Sequence, residues 1–311
     1  MSKIDFLVTG GGGFIGSNIV EALLKKGHSV RVMDNFSTGK RENLKPFEKD
    51  IDLFEGDIRN FHLVEKAVKN VEVILHQAAL PSVPRSVADP ISSDQANIQG
   101  TLNILYAAKE SGVRKVVFAS SSSVYGDNPV LPKHEGMIPN PLSPYAVTKL
   151  TGEKYCKVFS NLYGLETVCL RYFNVFGPKQ DPNSQYSAVI PKFIKAMLKD
   201  ESPVIYGDGE QSRDFTFIEN VIEGNIIAAN YKNEKSLVAN CACHGQITLN
   251  QLVDEINKII GKNIKPVYDK ERPGDIKHSF ADIELIKSKL NFEPKVSFLE
   301  GLKKTIEYNT H

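Results

Sequence analysis

The chain has 311 residues, 41% hydrophobic and 24% charged, with a formal net charge of +1. That balance supports a sizeable core and excludes a disordered chain, and the near-neutral charge offers no surface for nucleic acid or a membrane. No apolar run approaches the roughly 20 residues of a membrane span. A strand begins within four residues of the N-terminus, leaving no room for a signal peptide, so a soluble, cytoplasmic protein is expected.

Taken in order, "IDFLVTG" (Ile4 to Gly10) predicts a strand, and apolar spacing from Phe14 to Lys26 predicts a helix. "SVRVMD" and "IDLFEGD" predict two more strands, followed by a helix near Phe61 to Lys69. Then come the strand "VEVILHQAA", a long helix near Ile91 to Ser111, and the strand "KVVFASS". A helix from about Pro141 to Tyr163 leads into the strand "ETVCLRYF". Alternating helices with β-branched, almost wholly apolar strands imply an α/β fold, a doubly wound parallel sheet covered on both faces. After Asn174 the alternation stops. Proline and glycine cluster, with helices near 187–200, 219–231, 248–261 and 298–308, so a smaller C-terminal region is expected.

"TGGGGFIGS" (Thr9 to Ser17) joins the first strand to the first helix. Its glycines fit two registers, one on Gly11, Gly13 and Gly16 and one on Gly10, Gly13 and Gly16. Either sets backbone amides and a helix N-terminus against a pyrophosphate. Asp34 ends the second strand, placed to bind both ribose hydroxyls and to repel a 2′-phosphate. NAD is therefore favoured over NADP, while Lys40 and Arg41 nearby leave NADP open.

"PYAVTK" places Tyr145 and Lys149 one helical turn apart on one face. An ammonium there is expected to lower the phenol pKa and make Tyr145 a general base. "ASSSSVYG" puts Ser120 to Ser123 at the end of a buried strand, where a hydroxyl can be aimed at a ligand. The cysteines are Cys156, Cys169, Cys241 and Cys243; "CAC" lacks C-x-x-C spacing although His244 follows it, so free thiols and no metal are expected.

These three elements in this order resemble the extended short-chain dehydrogenase/reductase family over essentially the whole chain. The resemblance implies a Rossmann-type domain over 1–173 that binds NAD, with segments of about 214–246 returning to it, and a region over 174–311 that mainly binds a UDP-sugar. Implied cofactor contacts are Gly10, Gly13, Phe14, Ile15, Gly16, Asp34, Asn35, Asp57, Ile58, Gln77, Ala78, Ala79, Tyr145, Lys149 and Tyr172. The family's reacting Ser or Thr, four residues before the tyrosine of "VYG", falls on Ser121, which joins Tyr145 and Lys149 as the catalytic set. Family members that remove water carry Asp-Glu at the next two positions, and decarboxylases carry Glu at the second. Here these are Ser122 and Ser123, which leaves oxidation at C4 and return of the hydride, that is, epimerisation.

In the second half, "LRYFNVFGP" supplies Asn174 for the UDP phosphates, and "VIYGDGEQSRDF" supplies Tyr206 for uracil and Arg213 for phosphate. "RPGD" adds Arg272 for phosphate and Asp275 for ribose. Ser82, Arg85, Ser121, Ser122, Ser123, Val189, Lys192 and Ser279 complete the implied substrate contacts. "SVPRSVADP", "SPYAVTK", "RYFNVFG", "QDPN" and "AVIPKF" read most like bacterial UDP-N-acetylglucosamine 4-epimerases. Small Ser279, where relatives acting on plain UDP-hexoses carry tyrosine, leaves room for an N-acetyl group. Pro81 departs from the glycine of that subgroup. A homodimer through the helices near 91–111 and 141–163 is implied. UDP-glucose and UDP-hexuronates, including N-acetylhexosaminuronates, stay open as substrates, Arg85 suiting a carboxylate. A nucleotide-sugar-binding protein without turnover is disfavoured by the intact Ser121, Tyr145 and Lys149.

Overall fold

The computed structural model describes residues 4–183, 188–232, 235–271 and 277–310. Arg272 and Asp275 lie outside the described residues. The first part runs β1 (Ile4–Thr9), α1 (Phe14–Lys25), β2 (Val30–Asp34), β3 (Ile51–Glu55), α2 (Phe61–Val68) and β4 (Val71–His76). It continues with α3 (Val83–Ala88), α4 (Pro90–Asp94), α5 (Gly100–Glu110), β5 (Lys115–Ser121), α6 (Pro144–Tyr163) and β6 (Glu166–Tyr172). Next come β7 (Val175–Phe176), α7 (Val189–Leu198), β8 (Val204–Tyr206), β9 (Ser212–Arg213), β10 (Thr216–Phe217), α8 (Ile218–Asn230) and β11 (Leu237–Cys241). The chain ends with β12 (Ile247–Thr248), α9 (Leu249–Ile260), β13 (Val267–Asp269), β14 (His278–Ser279), α10 (Glu284–Leu290) and α11 (Phe298–Thr310).

Among the described residues, seven strands form one sheet in the order β11-β6-β5-β4-β1-β2-β3. β1 pairs in parallel with both β2 and β4, so the strand order reverses at β1. Open parallel sheets bind ligands outside the carboxyl ends of their strands at such a reversal. All of β2 is buried, as are Leu7, Ile74 and Val116 in the neighbouring strands, which explains why these strands read as continuous apolar runs. Each fully buried aliphatic side chain contributes about 1.5–3 kcal/mol.

The chain divides into two compact units. One contains 1–126, 138–171 and 222–239; the other contains 127–137, 172–221 and 240–311. The second unit is built from small sheets, β7 with β10, β8 with β13, and β12-β9-β14. Its interior holds Phe176, Phe215, Phe217 and Phe298, with ring centroids between 5.5 and 6.3 Å apart. Among the described residues, no helix is long and apolar enough to cross a membrane.

Three local results differ from the sequence expectation. The helix expected over 91–111 is interrupted by a π-turn at Gln95–Gln99. The extra residue turns Asn97 inward, where it accepts from Leu80 N at 2.7 Å and donates to Leu80 O at 3.1 Å. Secondly, α6 starts at Pro144 rather than Pro141, because Ser143 Oγ accepts from Ala146 N and Pro144 fits the first helical turn. Finally, α3 and α10 span six and seven residues, too few for periodicity to reveal. Where α6 crosses β5, a Cβ on Gly152 would stand 2.4 Å from the Phe118 ring, so only glycine allows that approach.

Candidate active site

β1 ends at Thr9, and the chain turns at Gly10 with φ +70°. A Cβ on Gly10 would lie 2.7 Å from Ala78 N, and one on Gly16 would lie 2.2 Å from Gly10 O. Gly13 caps α1 with no side-chain hydrogen bond, so the first amides of the helix, at Phe14 and Ile15, have no capping side chain. Gly11 packs on Val32 instead. Asp34 lies beside this turn, accepting from Gly12 N at 2.8 Å and from Phe36 N at 2.7 Å. Burial pushes its carboxyl pKa up against those two bonds. Asn35 donates to Asp57 at 2.8 Å, and Arg59, also bonded to Asp57, holds that carboxyl down at about 2. Ile58 is buried beside it, and Gln77 and Ala78 are tied to Thr9 by their amides. A bare helix start, a cradle that a Cβ would fill and a carboxylate at the end of β2 fit NAD.

The reactive side chains stand at the ends of β5 and α6. Ser121 caps the short turn Ser122–Tyr125, accepting from Ser123 N at 3.2 Å. Its hydroxyl is near enough to the Tyr145 hydroxyl to act on the phenol pKa. Lys149 is buried; its Nζ donates to Ala119 O at 2.8 Å and lies 5.8 Å from the Tyr145 ring centroid. Burial pushes Tyr145 up to about 12, with the Ser121 hydroxyl pulling the other way, and burial pushes Lys149 down to about 8. In the chain alone, the expected lowering of the phenol is therefore reversed. The ammonium is anchored to a carbonyl under the ring instead of to the hydroxyl. Ser122 is half-buried, and Ser123 Oγ is buried with no partner among the described residues.

Ser82 has φ +92° and caps α3, its hydroxyl accepting from Arg85 N at 3.4 Å. In the second unit, β14 pairs in parallel with β9, so that Ser279 is the register partner of Arg213. Arg213 donates to Ser212 O and Lys277 O at 2.9 and 3.1 Å. Val189 opens α7 with exposed Lys192 one turn on, while Tyr206 ends β8 half-buried. Asn174 is exposed with φ +30°, and Tyr172 is buried at the end of β6.

Sequence reasoning missed a buried polar chain in the first unit. Thr9 Oγ1 lies 2.7 Å from His76 Nδ1, and His76 Nε2 lies 3.0 Å from Thr101 Oγ1. Thr101 donates to Asn97 O, Asn97 Nδ2 donates to Thr148 Oγ1, and Thr148 donates to Tyr145 O. Burial, and next the charge of Lys149, push His76 down to about 3, so it is neutral. The one available signal was five polar residues among apolar neighbours, Thr9, His76, Asn97, Thr101 and Thr148. Their partners are far apart in sequence.

Residues 6–242 match the NAD dependent epimerase/dehydratase family. A putative UDP-glucose 4-epimerase of Methanocaldococcus jannaschii is 41% identical over 304 residues, covering 97% of each chain. A UDP-glucuronate 4-epimerase of Thermodesulfobacterium geofontis is 36% identical over 98% of this chain and 95% of its own. Among solved structures, the UDP-N-acetylglucosamine 4-epimerase of Methanobrevibacter ruminantium, in complex with UDP-N-acetylmuramic acid, superposes with a TM-score of 0.94. It is 45% identical, with 100% of this chain and 99% of that one covered. With a family match over most of the chain and relatives similar along nearly its whole length, this protein belongs to the NAD dependent epimerase/dehydratase family.

Proposed function

We propose that the protein is a UDP-hexose 4-epimerase, interconverting UDP-N-acetylglucosamine and UDP-N-acetylgalactosamine. The observation that carries this reading is the grouping of Tyr145 with Ser121 near its hydroxyl and Lys149 Nζ 5.8 Å from its ring, followed by serines where acid–base carboxylates would be needed to eliminate or decarboxylate. Tyr145 Oη takes the proton from the sugar O4, and Ser121 Oγ holds O4 and the phenolate in line. Lys149, fixed by Ala119 O, keeps a positive charge under the ring. The glycine turn of Gly10, Gly13 and Gly16 with Asp34 would hold NAD, which would supply reversible hydride acceptance at C4 and a positive charge favouring the phenolate. Ser122 and Ser123 offer hydroxyls only, so the 4-keto sugar has no carboxylate to carry it elsewhere; it turns over in the pocket, and Tyr145 gives the proton back to O4 as C4 regains hydride on its other face.

In the second unit, Arg213 and Arg272 take the diphosphate with Asn174, Tyr206 stacks on uracil, and Asp275 holds the ribose. Ser279, paired with Arg213 in the sheet, leaves space for the 2-N-acetyl group. Ser82, Arg85, Val189 and Lys192 complete the sugar-nucleotide contacts. Exposed Ile91, Tyr106, Val147, Val158 and Leu162 support a homodimer through the helices of 91–111 and 141–163, and the cytoplasm is proposed as its location.

A substrate panel read by NMR tests the assignment. UDP-N-acetylglucosamine should be turned over with a higher kcat/KM than UDP-glucose or UDP-glucuronate. Preference for the uronate would make Arg85 the deciding residue, and absence of turnover on all three would leave a binding protein.

A further inference from the structure

Behind the reactive residues lies a buried ionic network that the proposed chemistry does not use. Glu153 stands on α6 one turn beyond Lys149 and two beyond Tyr145, so the three share a helix face. Its Oε1 accepts from Ser120 Oγ at 2.6 Å and from Arg171 Nε at 2.8 Å, and its Oε2 accepts from Arg171 Nη2 at 2.7 Å. The guanidinium of Arg171 packs over the Tyr125 ring, 4.7 Å from its centroid. Ser120, Glu153 and Arg171 are 3%, 4% and 4% exposed, so the pair is closed to solvent.

Burying two charges is unfavourable, and an apolar pair of similar volume packs at least as well. What a planar fork adds is direction: two parallel bonds fix the height and rotation of the partners. Each partner here is chained to the reactive set. Ser120 is the residue before Ser121, and the carbonyl before Ser120 is the acceptor for Lys149. Tyr125 closes the turn that Ser121 caps. Glu153 therefore links the strand that carries Ser121 to the helix that carries Tyr145, within one hydrogen bond of each.

We propose that Glu153 is a positioning residue which, through Ser120 and Arg171, sets the strand end that carries Ser121 against the helix that carries Tyr145. This rests on the reading of Tyr145 as the base. The Ser121 hydroxyl pulls the phenol pKa down, so moving it away shifts the acid limb of the kcat–pH profile to higher pH.

The test uses the purified enzyme with its cofactor. Ser120→Ala removes the link to the strand and leaves the ion pair in place. Glu153→Met with Arg171→Met replaces the ion pair by apolar side chains without stranding a charge. For each, thermal midpoint, NAD content after denaturation, kcat, KM and the kcat–pH profile are measured. Positioning predicts near-normal stability and NAD content, kcat lower by about 10- to 100-fold, and KM within about twofold. It also predicts an acid limb raised by about half a unit or more, with Ser120→Thr, which keeps the hydroxyl, restoring both. Unchanged kcat and pH profile in Ser120→Ala would overturn the proposal, as would losses that merely track a fall in stability or NAD content. If the double variant does not fold, Ser120→Ala decides. Tyr145→Phe run alongside keeps the two readings apart, because turnover surviving in it would overturn the base assignment itself.

Discussion

Ser86 Oγ accepts the backbone N–H of Tyr145 at 3.0 Å and donates to Val83 O at 2.8 Å. The first amides of a helix lack intrahelical partners, and at the start of α6 one of them is satisfied from a different helix. Ser86 thus joins the Ser82–Ala88 segment to the residue expected to do the chemistry. Ser86→Ala should leave a buried donor unpaired and cost about 1–3 kcal/mol. Denaturant unfolding measures this directly, and an unchanged midpoint would mean that the amide finds another partner.

Tyr145→Phe keeps the ring and removes the proton acceptor. Turnover should fall at least about 100-fold, the lower end for acid–base catalysis. UDP-sugar binding by calorimetry should change little. A variant that retained near-normal turnover would put the active site elsewhere.

Cofactor choice follows from Asp34, whose buried carboxylate sits beside the glycine turn. Denaturing the purified protein should release NAD(H) and no NADP(H), as read by enzymatic cycling assay. Recovery of mainly NADP(H) would mean that Arg41, ion-paired with Glu55, outweighs Asp34.

Ser279→Tyr places a ring in the space assigned to the N-acetyl group. Overpacking of about 1–3 kcal/mol should lower kcat/KM for UDP-N-acetylglucosamine by roughly 5- to 150-fold. UDP-glucose should be largely spared. Equal losses on both substrates would remove Ser279 as the discriminator.

Asp214 gives a pH prediction for stability. Fully buried, it accepts from Cys243 N at 3.1 Å and Ala281 N at 3.2 Å, yet burial raises its pKa from 3.8 to about 6. Between those values the folded protein holds a proton that the unfolded chain has released. Its contribution to stability is therefore full below the unfolded value and is lost as pH rises through about 6. Going from pH 7 to pH 5, the native protein should gain about 1 kcal/mol relative to Asp214→Asn. Parallel pH–stability curves for the two proteins would contradict the shift.

The parallel strands and the glycine turn were legible because each is a local pattern, an apolar run or a set of glycines beside a helix start. Tyr145 and Lys149 were legible as one helical turn. The interruption at Asn97 was not, since the partner of its side chain is the Leu80 backbone, 17 residues earlier in the chain. Nor did the sequence show the charge balance at Tyr145. Helical spacing gives the neighbourhood of a lysine but not which acceptor its Nζ chooses, and it chose Ala119 O. The serine run divides for a similar reason. Ser120 points to Glu153 and Ser121 to Tyr145, a distinction set by the neighbouring elements and not by four identical letters.

The missing side chain at Gly152 sets a working distance. With the Phe118 ring where a methyl group would be, α6 lies against β5 closer than any other residue would permit. Lys149 and Glu153 flank that contact on the helix, and each reaches the last residues of β5. The spacing between the helix that holds the phenol and the strand that holds the serine is thus calibrated by a single hydrogen atom. A methyl there would act as a shim, lifting the phenol from the serine while every reactive side chain stayed intact.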